Sequence, residues 1–327
     1  MSDPASSRTG DQIGRRTDRS DHQYAGLTVD RLRTLRELAR CGTIAATARA
    51  LGLTPSAVSQ QLSALERETG VALIDRADRR TALTAAGHAL VGHADRVLDA
   101  LAAASAELDR VRGAVGGPFR IATVPSAAPA LVSPVVARLR AEHPDLDLTV
   151  IDEEPHRSLD HLDRGTIDLA VVDRYAAAPL PLGDDLDARP LLVEPLLAVL
   201  PAGHPGLAGD RVDLAALAGD DWIVAPDEVS CGAAVRSACR AAGFEPRVRW
   251  QTDDLLLHLE HVAAGHGVAL LPRLGVRTGV AAVEVRPLAA PAVTRELLAV
   301  TRSVAVARPA VAAVLRALTD AAEAPTT

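Results

Sequence analysis

Thr43-Ile44-Ala45-Ala46-Thr47-Ala48-Arg49-Ala50-Leu51-Gly52-Leu53-Thr54-Pro55-Ser56-Ala57-Val58-Ser59-Gln60-Gln61-Leu62-Ser63-Ala64-Leu65-Glu66 reads as two short helices joined by a tight turn. Gly42 stops the helix before it and Thr43 caps the first of the pair, which runs over Ala46, Ala50 and Leu51 until Gly52 breaks it. Thr54 then offers a hydroxyl to the free N–H groups of the second helix. Pro55 fits that helix's first position, where a missing N–H costs nothing. Ala57 stands where the Glu or Gln of a capping box belongs, so Thr54 and Pro55 alone carry the start.

Val58, Leu62 and Leu65 recur at i, i+4 and i+7 and form the buried stripe of the second helix. The opposite side carries Ser56, Gln60, Ser63 and Arg67, with Ser59 on its edge. Hydroxyls, an amide and a guanidinium can all donate to base edges and phosphate oxygens, and none repels a polyanion. The pattern predicts a helix-turn-helix; by composition alone, an αα-hairpin in an ordinary helical domain fits it equally.

With 327 residues the chain exceeds one ordinary domain, and two or three are expected. Hydrophobic residues make up 48% but aromatics only 2%, so the core must be Leu, Val and Ala. All 35 basic residues are Arg, a coding bias that removes meaning from Arg over Lys at any one site. The net charge of −7 argues against a chain that coats nucleic acid throughout. Its distribution is informative: residues 27–83 hold nine Arg against six acids, +3, and residues 84–327 hold 22 Arg against 32 acids, −10. A small basic head on an acidic body is the balance expected if only the head touches DNA.

Three cysteines make no disulfide framework, and Cys231 and Cys239 lie eight apart in an expected helix, too distant to bridge; a reducing compartment is implied. The N-terminus carries no apolar signal core and no run of 18 apolar residues exists, so a soluble cytoplasmic protein without membrane contact is expected.

Residues 1–26 are too polar to fold alone and read as a disordered tail. Val29, Leu32, Leu35, Leu38 and Ala39 keep helical spacing and give the head its first helix. Residues 73–83 give two short extended pieces around a charged tip, a β-wing. The order of these features resembles the LysR-type transcriptional regulators: Gly42-Thr43-Ile44, Ala48, Leu51, Thr54 through Leu62, Leu65-Glu66, Gly70-Val71, Leu73, Arg76, Arg79, Leu83-Thr84 and Gly87. It covers about 60 residues, departing at Thr47, where the family usually has Ala, and at Ile74-Asp75, where Phe-Glu is usual.

Thr84 caps a helix expected to reach Arg112. Leu90, Ala94, Val97 and Leu101, then Ala104, Leu108 and Val111, alternate spacings of four and three, the seam of a coiled coil. In the family this segment, 84–113, is the linker helix that pairs two subunits. Gly113 to Pro118 is a hinge, and beyond it strands and helices alternate, which means a mainly parallel sheet covered on both faces. The apolar run 191–200, interrupted by Glu194-Pro195, is read as a crossover between two lobes, with 296–301 crossing back. The expected architecture is therefore multidomain: a winged helix-turn-helix head (27–83), the linker helix and a two-lobed α/β body (114–327). Lobe I takes about 118–190 and 296–325, and lobe II about 191–295. The body resembles the periplasmic-binding-protein-like effector domain of LysR-type regulators, with 165–170, His204-Pro205 and 265–272 at the family's usual places.

For DNA, the candidates are Thr54 at the helix start, Ser56, Ser59, Gln60 and Ser63 for base edges and near phosphates, and Arg67 at the backbone. Arg79 and Arg80 at the wing tip suit an adjacent minor groove, against the plain reading of a solvated turn. For a small molecule, the cleft between the lobes is the expected place. Ser126, Ser230 and Thr252 each open a helix there, and converging helix N-termini favour a carboxylate or other anion; each equally reads as a plain N-cap. Cys231 near a helix start implies a lowered thiol pKa, against the commoner reading of a small buried residue. His258, His261 and His266 near Asp253 and Asp254 show no closed ligand set and read as solvent-facing. No nucleophile elbow, phosphate loop, dinucleotide glycine fingerprint or two-histidine metal helix is written, so no enzyme, cofactor or metal is expected.

The resemblance implies a regulator that binds double-stranded DNA at imperfect palindromes as a homodimer or homotetramer, answers a small-molecule effector and acts on RNA polymerase. Two alternatives stand beside it: a constitutive DNA-binding protein with a ligand-free body, and an α/β enzyme with an appended head.

Overall fold

The computed structural model describes residues 27–75, 82–113, 115–207, 209–276 and 282–324. The expected tail (1–26) and the wing tip with Arg79 and Arg80 lie outside the described residues. Contacts divide the chain into two units, Met1–Leu101 and Ala102–Thr327.

In the first unit, α1 (Val29–Cys41), α2 (Ile44–Leu51) and α3 (Pro55–Thr69) form a trihelical head. Its caps follow the sequence: Thr43 Oγ1 accepts from Ala46 N at 3.2 Å, Thr54 Oγ1 accepts from Ala57 N at 3.2 Å, and Gly42, Gly52 and Gly70 end the three helices in the left-handed conformation. Leu35, Leu38, Ala48, Val58, Leu62 and Leu65 share one core. Thr47 is fully buried, and its hydroxyl returns a hydrogen bond to Thr43 O at 2.9 Å, so a polar group sits where alanine is usual without loss. Strands β1 (Ile74–Asp75) and β2 (Ala82–Leu83) pair antiparallel as the base of a wing. Glu66 ties that base to α3 by accepting from Leu73 N and Ile74 N at 3.0 and 3.1 Å.

Helix α4 (Ala85–Arg112) starts at Thr84, whose hydroxyl accepts from Gly87 N at 3.0 Å. The expected pairing seam is already divided here. Leu90 packs on the head core and Ala94 is fully buried within the chain, so these two are corrected from partner contacts to intrachain ones. Val97, Leu101, Leu108 and Val111 are exposed, at 40, 48, 61 and 73%.

The second unit is built on β3 (Gly117–Thr123), β4 (Leu146–Asp152), β5 (Leu169–Tyr175), β6 (Leu186–Pro201), β7 (Asp221–Val224), β8 (Arg247–Gln251), β9 (Ala269–Pro272), β10 (Val283–Pro287) and β11 (Thr294–Arg302). Lobe I has the order β6-β11-β5-β3-β4, with β3 parallel to β4 and β5 and β11 antiparallel to its neighbours. One face is covered by α5 (Ser133–Glu142) and α9 (Pro309–Glu323), the other by α6 (Pro155–Arg164). Lobe II uses the far half of β6, paired with β9 and β10, and reaches the parallel pair β7-β8 through a bridge from Trp222 to Val268. Helices α7 (Ser230–Ala241) and α8 (Leu255–Ala263) cover its two faces.

Glu194-Pro195 does not interrupt β6 as the sequence led us to expect. The strand runs unbroken for 16 residues and changes partners there, from β11 up to Pro195 to β9 and β10 beyond it. Proline is tolerated because the missing N–H falls at the exchange of neighbours. Strand β10 and the extension of β5 to Tyr175 were not read from sequence.

Helix α7 packs so closely on the preceding loop that a Cβ at Gly232 falls 2.3 Å from Pro226 O and 2.4 Å from Ala225 O. In an open helix, Gly→Ala gains about 1 kcal/mol. Here the clash is with backbone, which cannot step aside, so Gly232→Ala should lower unfolding stability by about 1–3 kcal/mol in urea titration; a stabilised variant would contradict this packing.

Candidate functional site

On the head, α3 offers one polar face. Thr54, Ser56, Gln60 and Arg67 are exposed and Ser59 and Ser63 half-buried, while Val58, Leu62 and Leu65 fill the core behind them. The hydroxyls of Thr54 and Ser56 lie 3.0 Å apart, and Ser59 Oγ donates to Pro55 O at 3.0 Å. Thr54 is thus both a structural cap and part of the face. Gln61, one position off, turns inward to accept from Thr34 Oγ1. The face carries no carboxylate, as a surface that meets phosphate requires.

In the second unit a cleft lies between the lobes, with an inner chamber of about 40 Å³ opening beside a basin of about 420 Å³. At its floor sits Arg295, 1% exposed, at the start of β11. Its Nε donates to Glu194 Oε1 at 2.7 Å, Nη2 donates to the same oxygen, and Nη1 donates to Ser126 Oγ at 2.7 Å and Asp173 Oδ2 at 3.1 Å. Glu194 Oε2 accepts from Leu274 N at 2.9 Å, and Tyr175 OH donates to Asp173 Oδ2 at 3.2 Å. Burial opposes the charge on Arg295, but Tyr175, Glu194 and Asp173 more than reverse it, and the guanidinium stays charged.

Ser126 lines both chambers. Ser230 and Thr252 line neither. Ser230 is the first residue of α7 rather than its cap, and Thr252 Oγ1 is engaged by Asp254 N at 3.1 Å. The expectation of an anion meets a lining rich in carboxylates. The N-terminus of α8 is already satisfied by Asp254, whose Oδ1 accepts from Leu256 N and Leu257 N, and α6 begins at Glu154. Asp152, Glu154, Asp173, Asp253 and Asp254 line the two chambers, and among the described residues the one guanidinium lining them, Arg295, is held by carboxylates. At α8 the chain places its own carboxylate, Asp254, at the helix's positive end.

Glu154 shows the strain of this crowding. Burial first, then Asp173 and Asp253, raise its pKa from 4.5 to about 7, against a smaller opposing pull from Arg295. His258, 3% exposed, lines the inner chamber and is not solvent-facing; burial lowers its pKa, and Nδ1 lies 3.0 Å from Asp254 O. His261 instead stacks on Trp250, ring centroids 4.0 Å apart, with His266 nearby. Among the described residues no group of three or more His, Cys, Asp or Glu is placed to hold a metal. The expected lowering at Cys231 is overturned: burial pushes its thiol up to about 11, and that of Cys239 up to about 12. Glu194, Asp173 and Arg295 were missed as a site, although Glu194 is a lone charge in an apolar strand run, a signal that a buried partner exists.

Removing Arg295 strands Glu194 and Asp173 in the interior, so Arg295→Met should cost about 3–5 kcal/mol, and adding Glu194→Gln should return part of it; urea unfolding of the single and double variants measures both. Glu154 gives a pH signature. Below pH 4.5 folded and unfolded chains both hold its proton; between 4.5 and 7 the unfolded chain releases it first, so native stability falls as pH rises. Glu154→Gln should therefore stabilise by about 1–2 kcal/mol at pH 8, discounted for partial solvent screening, and by much less at pH 4.5.

Comparisons agree with this division. Residues 29–88 match the family described as "Bacterial regulatory helix-turn-helix protein, lysR family", and residues 112–323 match "LysR substrate binding domain". The chain is 33% identical over 230 residues to the "HTH-type transcriptional regulator ShiR" of Corynebacterium glutamicum, covering 67% of this chain and 74% of that protein. It is 30% identical over 255 residues to a "Probable hydrogen peroxide-inducible genes activator" of Mycobacterium avium, covering 76 and 79%. A full-length OxyR structure from Pseudomonas aeruginosa superposes with TM-score 0.63 at 23% identity, over 91% of this chain and 95% of that one, a likeness of fold.

Proposed function

This chain belongs to the LysR family of transcriptional regulators, and from that premise we propose how its parts divide the work. It is a DNA-binding regulator with an effector-binding domain, not an enzyme. The observation that carries the DNA reading is the carboxylate-free polar face of α3, exposed on one side of a helix whose other side is core.

In this reading α3 enters the major groove. Ser56, Ser59, Gln60 and Ser63 meet base edges and near phosphates, Thr54 and Arg67 meet the backbone, and Arg79 and Arg80 enter a neighbouring minor groove. Two copies pair through the exposed part of the α4 seam, Val97, Leu101, Ala104, Leu108 and Val111, and bind half-sites about one helical turn apart as a homodimer or homotetramer. RNA polymerase is the machinery acted on, in the cytoplasm; among the described residues no helix is long and apolar enough to cross a membrane. The effector enters the cleft of the second unit and shifts the balance between lobe arrangements.

Peroxide sensing, suggested by the relative's name, is not the reading these thiols support. Both are raised, and their eight-residue separation on α7 sets them roughly 12 Å apart along the axis, beyond disulfide reach while the helix holds. Reversible ligand binding is the proposed signal. Peroxide should leave DNA affinity unchanged in both the native chain and Cys231→Ser; a peroxide response abolished by Cys231→Ser would reverse this.

Fluorescence anisotropy on DNA from upstream of the gene, at two salt concentrations with unrelated DNA as competitor, tests the DNA reading. Gln60→Ala should relax sequence preference, whereas Arg79→Ala should weaken all DNA alike and flatten the salt slope by roughly one unit. Equal loss on every sequence for Gln60→Ala would remove it from base reading.

A further inference from the structure

We propose that the cleft of the second unit takes a small organic cation, with an ammonium head against Asp173 and Glu154 in the inner chamber and the rest of the molecule in the outer basin before Asp152, Asp253 and Asp254. The assignment rests on the reading of this cleft as the effector site and names the ligand's class.

The first observation is charge. Five carboxylates line the two chambers against one guanidinium, and every nitrogen of that guanidinium is directed at Glu194, Asp173 or Ser126. An entering anion meets a lining rich in carboxyl groups and, among the described lining residues, no guanidinium that is not already engaged. The second observation is independent of the count. Asp173 is 5% exposed and lines the inner chamber; Oδ2 is taken by Arg295 and Tyr175, while Oδ1 has no hydrogen-bond partner within the protein. A buried carboxylate oxygen left in that state is costly, and a donor arriving from the chamber relieves it.

The size and chemistry of the chamber narrow the head group. About 40 Å³ admits a compact ammonium and excludes a ring. An ammonium has three donors, and Asp173, Glu154 and Ser126 all line that space. Val124, Val224 and Leu270 supply apolar wall for the adjoining methylenes. The raised pKa of Glu154 is what burial, and then two neighbouring carboxylates, produce before a cation arrives, and a seated cation draws it down. A hard divalent ion is poorly served, since it asks for six or more oxygen ligands.

The test uses the full chain without DNA, in calorimetry at constant ionic strength. The probes are unbranched primary mono- and diamines of two to six carbons, 1-pentanol as the neutral control and pentanedioate as the anionic one. Amines should bind while the alcohol and the dicarboxylate do not, and Glu154→Gln and Asp253→Asn should each weaken amine binding at least about tenfold. Asp173→Asn should abolish it; because that residue also supports Arg295, the two other variants keep the test sound if this one unfolds. Binding of pentanedioate in place of amines, failure of every amine, or amine binding unchanged in Glu154→Gln and Asp253→Asn would each overturn the assignment. DNA anisotropy run in parallel separates the two readings. Carboxylate-dependent amine binding that leaves DNA affinity unmoved preserves the ligand class and removes effector control, whereas pentanedioate that binds and alters DNA affinity preserves effector control and removes the class.

Discussion

The second unit depends on one buried cation. Arg295 sits where β6 and β11 pass between the lobes, and its contacts reach four separate parts of the chain: the loop at Ser126, the end of β5 at Asp173, β6 at Glu194 and, through Glu194, the backbone of Leu274. A guanidinium in the interior is tolerable only when its donors find acceptors and its charge is matched. That requirement fixes the positions of both strands and the cleft wall together. Two acids around one Arg leave one buried carboxylate oxygen over, Asp173 Oδ1, on a residue that lines the chamber.

The head solves its polar problem differently. Many of its polar contacts are local: Thr47 bonds back to Thr43, Thr54 caps its own helix, and Glu66 reaches seven and eight residues along to the wing strand, with Thr34 to Gln61 a longer tie between helices. Local satisfaction leaves the outer face of α3 with little structural duty beyond the cap, so its side chains are available for DNA. The body instead uses pairs distant in sequence, and these determine both its lobe geometry and its ligand chemistry.

This difference explains what the sequence disclosed. Caps, stripes and breakers act within four residues, so Thr43, Thr54, Gly52 and the Val58-Leu62-Leu65 stripe could be read directly, and the alternation of strand and helix gave the two lobes. Several segments of family character proved structural: Gly267 permits backbone approach to Asp221 O, where a Cβ would stand 2.4 Å away, and His204 bonds Asp220 and Gly206 to close a turn. The Arg295 network could not be paired from one sequence, because its partners lie 101, 122 and 169 residues away. The lone charge at Glu194 announced that a buried partner existed without saying which residue it met. The expectation of an anion weighed the helix starts at Ser126, Ser230 and Thr252 alone, and could not include the carboxylates that the fold brings to the same cleft, Asp254 at the start of α8 among them.

The same geometry bounds how a ligand could act. Glu154, Asp173 and Ser126 come from lobe I, while Val224, Cys231, Leu255 and His258 come from lobe II, and all line the inner chamber. A molecule held there touches both lobes at once, so its affinity must differ between arrangements that bring those walls together and arrangements that part them. That differential is the whole of its regulatory leverage: equal affinity for both arrangements shifts nothing, and a swing from 1:99 to 99:1 needs roughly ten-thousandfold preference. The chamber is small, and Ser126 and Asp173 of its polar lining are engaged by Arg295, so few contacts remain to supply such a ratio. For the proposed ligand, a charge placed against Asp173 and Glu154 is the strongest of those that remain, because an ionic contact gains most at partly buried groups. The burial and neighbouring carboxylates that make Glu154 hard to ionise in the unliganded cleft are what such a cation offsets.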